Sequence, residues 1–145
     1  MLPSERTKDI RDMTTIESKQ VVLDTSAQEV YGFVSDLNNF EKLLPEGRIS
    51  DFSSDGTSCK FKVNGMATIG LKIKEEHPPS RLLLESCEGP FPFTLDVHIL
   101  DEDGSSRAHQ VAQVDVNPMM KMMVEKPLRN LFDHIADQLK RELDS

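Results

Sequence analysis

The stretch FPFTLDVHILDEDGSSRAHQVAQVDV (residues 91–116), followed by NPMMKMMVEKPLRNLFDHIADQLKREL (117–143), decides the fold. In its first part apolar residues take every second position: Phe91, Phe93, Leu95, Val97 and Ile99, opposed by Thr94, Asp96 and His98. Side chains of a strand point alternately to the two faces of a sheet, so this is a strand with one buried side. Asp103-Gly104 marks a turn into a second strand, whose inward set is Ala108, Gln110, Ala112, Val114 and Val116 rather than His109, Val111, Gln113 and Asp115. A four-residue loop, Glu102–Ser105, pairs Asp101 with Ser106 and so sets Ile99 opposite Ala108, both inward. Beyond this strand the period changes. Leu128, Leu131, Phe132, Ile135 and Leu139 fall on one helical stripe, with Asp133, Asp137, Lys140, Arg141 and Glu142 off it. PMMKMMVEK reads as a helical lead-in, with Pro127 either kinking the helix or starting it afresh.

Working upstream, four more strand-like segments precede this unit: Arg48–Ser53, Ser58–Val63, Ala67–Glu75 and Arg81–Glu88. Asp55-Gly56, Asn64-Gly65, Pro78-Pro79 and Gly89-Pro90 punctuate them. The connections are short, which demands antiparallel neighbours because a parallel crossover takes a dozen or more residues. The inward sets are Cys59, Phe61 and Val63, then Ala67, Ile69, Leu71 and Ile73, then Leu82, Leu84 and Ser86. A two-residue Asn64-Gly65 turn would set Lys62 opposite Ala67, on the wrong face. A three-residue connection through Met66 pairs Val63 with Ala67 and Phe61 with Ile69, and is therefore expected. Before the strands, Thr14–Val22 is β-rich and ends at the turn Leu23-Asp24-Thr25. A helix follows over SAQEVYGFVSDL, capped through Thr25 with Gln28 or Ser26 with Glu29. Asn38-Asn39 breaks it, and FEKLL makes a second short helix before Pro45. Residues 1–12 read as a loose N-terminal extension and 13–145 as one domain. The expected fold is α+β: a curved antiparallel sheet in the order β-α-α-β6-α, wrapped around a long C-terminal helix.

Charge and composition exclude several functions. Acids outnumber bases, 25 to 17, for a net charge of −8 without any basic cluster. Nucleic-acid binding draws on basic residues that release counterions, so no nucleic-acid partner is expected. No apolar run reaches the roughly 18 residues of a membrane helix, and the N-terminus lacks a secretory segment. Cys59 and Cys87 form no CxxC pair and are expected to be free thiols in the cytoplasm. His77, His98, His109 and His134 are too scattered for a metal pair. No metal, cofactor or catalytic residue is expected; an inward Asp115 and His109 would require the last strand to invert its register.

That element order, with VVLDTSAQEVYGFVSDLNNFEKLLP, resembles the helix-grip (SRPBCC) superfamily of START domains, Bet v 1-like proteins and bacterial polyketide cyclase/dehydrase-like proteins. The resemblance spans about Thr14 to Leu143. It is carried by Ala27-Gln28-Glu29-Val30-Tyr31 after a strand, then Val34-Ser35-Asp36 and Pro45. It implies an apolar cavity between sheet and helix and binding of a small apolar molecule such as a lipid, quinone or polyketide. Two alternatives are a protein-interaction module without ligand and a cyclase/aromatase-like enzyme. By the alternation, the cavity lining would be Phe61, Val63, Ile69, Leu71, Leu84, Phe93, Leu95, Val97, Gln110, Ala112 and Val114. From the helix it would take Met123, Leu128, Phe132 and Ile135.

Overall fold

A computed structural model describes residues 13–64 and 67–144, which form eight strands, two α-helices and one 3₁₀ helix. The expected extension over residues 1–12 lies outside these residues.

The β-rich run expected as one strand is two, β1 (Thr14–Glu17) and β2 (Val21–Leu23), and both pair with β8 (Ser106–Val114). Glu17 faces Val111 and Val21 faces Ala108, so the β1–β2 side carries one extra residue. Ser18 accounts for the break. Its N–H donates to the Gln110 carbonyl at 2.9 Å, and its Oγ accepts the Gln110 N–H at 2.9 Å. The ladder bonds at Gln110 are thus kept while the strand bends.

Helix α1 (Ala27–Val34) opens on Ser26, whose Oγ accepts the Glu29 N–H at 3.2 Å. Of the two caps that the sequence offers, this one forms. The second short helix is 3₁₀ and starts at Leu37, earlier than expected, ending at Leu43. Asp36 caps it by accepting the Asn38 N–H at 3.0 Å, and Asn39 Nδ2 donates to the Phe33 carbonyl at 3.1 Å. The asparagines therefore begin this helix instead of merely ending α1.

Strands β3 (Ile49–Ser54), β4 (Ser58–Val63), β5 (Thr68–His77), β6 (Arg81–Glu88) and β7 (Phe93–Asp101) join β8 antiparallel, in the spatial order β1-β8-β7-β6-β5-β4-β3. The registers are those required by the alternation. Phe61 faces Ile69, Val63 N–H donates to the Ala67 carbonyl at 3.0 Å, and Ile99 faces Ala108. Gly65 and Met66, within that expected connection, lie outside the described residues. Register shifts between Ser50 and Ser53, Gly70 and Leu71, and Ile73 and Glu75 bend the sheet, as bulges do. Its inner face buries Cys59, Phe61, Leu71, Leu82, Leu84, Leu95, Ile99, Ala112 and Val114.

Helix α2 (Pro118–Leu143) lies against that face and runs on through Pro127 without a new start. Asn117 caps it by accepting the Met120 N–H at 2.8 Å. No helix among the described residues is long and apolar enough to cross a membrane.

Candidate functional site

The two halves of α2 are held very differently. Its buried residues, Phe132, Ile135, Ala136 and Leu139, all belong to the second half. Polar contacts tie that half to the sheet edge. Asp133 accepts the Lys19 N–H at 2.7 Å, and Asp137 pairs with the Lys19 ammonium at 2.6 Å. Lys140 donates to the Val22 carbonyl at 2.6 Å, and Asp144, just past the helix, accepts the Asp24 N–H at 2.8 Å. Over residues 118–131 no described side chain is buried; Leu128 and Leu131 are half-buried against the core. Pro127 supplies no N–H for the Met123 carbonyl, so the helix is one bond short where the halves meet.

Where the two halves meet, a wholly apolar cavity of about 40 Å³ lies beneath the helix. Phe61, Val63, Ile69 and Leu71 line it from β4 and β5, Phe93, Leu95 and Val114 from β7 and β8, and Leu128, Phe132 and Ile135 from the helix. A second cavity of about 20 Å³ lies toward α1, lined among others by Leu84, Val97, Gln110 and Ile135. Phe40 and Ile135 line both, so these two side chains divide one apolar interior. A water requires about 10–15 Å³, so the present volumes hold roughly one to three waters and neither is the size of a lipid. Outside, an open groove of about 710 Å³ runs between α2 and the 45–49 loop, and Val63, Leu128 and Leu131 line both groove and larger cavity.

Two expected lining residues fall elsewhere. Met123 is 68% exposed, because a continuous helix at about 100° per residue puts it half a turn from Phe132, nine residues on. With Met119 and Met122, at 75% and 84% exposure, it forms an outward apolar stripe. Ala112 is fully buried but lines neither cavity; it pairs with Ile16 on one side and Leu95 on the other. Phe40 and Leu44, outside the expected lining, reach the larger cavity from the 3₁₀ helix and just beyond it. Their apolar spacing in FEKLL was visible, but not the side of the sheet to which that segment returns.

Gln110 is the polar exception in this interior and is 4% exposed. Its Nε2 donates to the Phe132 carbonyl at 3.2 Å, while Oε1 has no partner. A buried acceptor without a donor costs about 1–3 kcal/mol. His134 Nε2, on the outer groove, and Ser106 Oγ are likewise buried without partners. Tyr31 is buried between α1 and the sheet, its hydroxyl donating to Glu76 at 3.1 Å; burial, then Glu76, pushes its pKa up to about 12.

His109 is the one acid–base residue among the described residues lining either enclosed space, and its ring lies on the opposite face of the sheet. There it stacks on His98 with ring centroids 5.1 Å apart, close to an Arg81–Asp96 pair at 2.8 Å. Val97 faces Gln110 and His98 faces His109, so the register is not inverted. A general acid or base must come within about 2.6–3.2 Å of the reacting proton, and no carboxylate lines either cavity. Among the described residues there is no cluster of three potential metal ligands. Cys59 and Cys87 are both free, the first buried and the second exposed.

No protein-family model matches this sequence, and no curated protein matches it either. Solved structures do resemble it. A norcoclaurine synthase point mutant from Thalictrum flavum, in complex with a transition-state analogue, superposes with a TM-score of 0.73 at 14% identity, over 90% of this chain and 94% of that one. A START superfamily protein from Mycobacterium smegmatis gives 0.65 at 17% identity, over 89% of this chain and 96% of that one. A protein from Arthrobacter aurescens gives 0.71 at 12% identity, over 94% and 89% of the two chains. Identities this low establish the fold alone. The chain has the helix-grip fold of the START and Bet v 1-like proteins.

Proposed function

We propose that the chain binds a small apolar molecule between the sheet and α2, by displacement of the helix's first half. The observation that carries this reading is a wholly apolar cavity whose helix wall begins with Leu128 and Leu131, in the stretch of α2 that has no fully buried side chain. Apolar cavities of this kind stay dry and take up hydrocarbon. The resident volume is too small for a lipid or quinone, so binding opens the space. Segments with few buried apolar contacts open at low free-energy cost, and Leu128 and Leu131 already line a path from the groove. Two free cysteines support a reducing compartment such as the cytoplasm.

The direct test is uptake of a neutral naphthylamine dye by delipidated protein, alongside native mass spectrometry of protein as purified. Saturable, one-to-one uptake that a long-chain alcohol displaces is the expected result. An absence of both dye uptake and any co-purified molecule would overturn the reading.

A second reading, a protein-interaction module, rests on the outward Met119, Met122 and Met123. Methionine-rich surfaces suit adaptable protein contacts. Replacing all three with glutamine should leave dye uptake intact if binding is internal.

A further inference from the structure

Resting on the proposal of an internal apolar ligand, we infer that this ligand carries a single hydrogen-bond donor, a hydroxyl or N–H, at its buried end, and that Gln110 receives it. The amide is fixed rather than free to flip. The Phe132 carbonyl can only accept, so the Gln110 atom facing it at 3.2 Å is Nε2 and the unpartnered atom is Oε1. Nor can the backbone near Gln110 serve instead, because its N–H and C=O are both taken by Ser18.

The smaller cavity would just admit a water, but a buried water makes about three hydrogen bonds. Apart from Gln110 and His109, whose ring is on the other face, the walls here are apolar. A water would form one bond and face hydrocarbon on its other sides. An apolar molecule ending in one donor matches the site better: the donor meets Oε1, and the body passes Phe40 and Ile135 into the larger cavity. An acceptor-only end, such as an ether, ester or ketone, would set oxygen against oxygen.

The test compares 1-decanol with decyl methyl ether, similar in length but lacking the donor, each measured by dye displacement on the wild-type chain. The alcohol should bind roughly 5- to 10-fold more tightly than the ether, the size of one net hydrogen bond. Gln110→Leu and Gln110→Met should bring this ratio close to one, by weaker alcohol binding and relief of the ether's oxygen–oxygen contact; using both guards against one failing to fold. Equal binding of alcohol and ether by the wild type would overturn the donor inference while leaving apolar-ligand binding in place. Binding of neither, with no dye uptake, would instead remove the underlying proposal and this inference together. A preference for the alcohol that persists in folded Gln110→Leu would also overturn the assignment to Gln110.

Discussion

Replacing Ile135 with alanine tests whether the two internal spaces are one interior divided by side chains. Ile135 is 4% exposed and lines both cavities, with Phe40 as its counterpart from the 3₁₀ helix. Truncation removes three carbons, and at about 0.8 kcal/mol for each buried methylene the transfer loss alone is about 2.4 kcal/mol. A cavity term adds to this and places such changes at about 2–5 kcal/mol. The wall has little freedom to collapse, because α2 is pinned nearby through Phe132 to Gln110 and through Asp133 to Lys19. A loss of about 3–4 kcal/mol is therefore expected, above the transfer loss alone and in the middle of that range. Urea unfolding reads it as a lowered midpoint with an unchanged slope. The enlarged space should also bind naphthalene or the naphthylamine dye more tightly than the wild type does. A ligand at one hundred times its Kd returns about 2.7 kcal/mol of stability, so its addition should recover much of the loss. A cost below about 1 kcal/mol, or no stabilisation by the ligand, would refute the picture of a shared apolar interior divided at this residue.

Three further outcomes follow from individual side chains. Ala112→Phe should cost about 1–3 kcal/mol or more by overpacking, since Ala112 is fully buried outside both cavities; a near-neutral urea midpoint would show room not seen here. Burial, then Cys87, pushes the Cys59 thiol up to about 12, so a thiol reagent at neutral pH should count one fast cysteine in folded protein and two after denaturation. Burial, then the neighbouring His98, lowers the His109 pKa from 6.5, with Glu17 and Asp96 acting weakly the other way. The unfolded chain then binds more protons than the folded one, so stability is full above about 6.5 and falls as pH drops through the depressed value. His109→Gln should flatten thermal stability across that window, and an unaltered profile would count against the assignment.

How much of this was legible in the sequence follows the range of the interactions involved. Alternation is a local property, and one face must avoid water. The strings from Phe91 to Ile99 and from Ala108 to Val114 therefore set faces and registers, and the same alternation brings Val63 to Ala67 across the Asn64 connection. The helix stripe from Leu128 to Leu139 was equally local. Gln110 could be placed inside, but its unpaired Oε1 depends on where the Phe132 carbonyl comes to rest, 22 residues away. Met123 was misplaced because the phase of α2 across Pro127 is set only when the whole helix forms on the sheet. Ala112 looked like a gap because small residues leave space only if no neighbour fills it, and that depends on walls brought from distant parts of the chain. The same holds for volume. The sequence by itself determined which side chains face inward, since one repeating period decides that. Only the tertiary structure decided how much room remains between them, because that room is a small difference between the positions of layers that meet late and far apart in sequence.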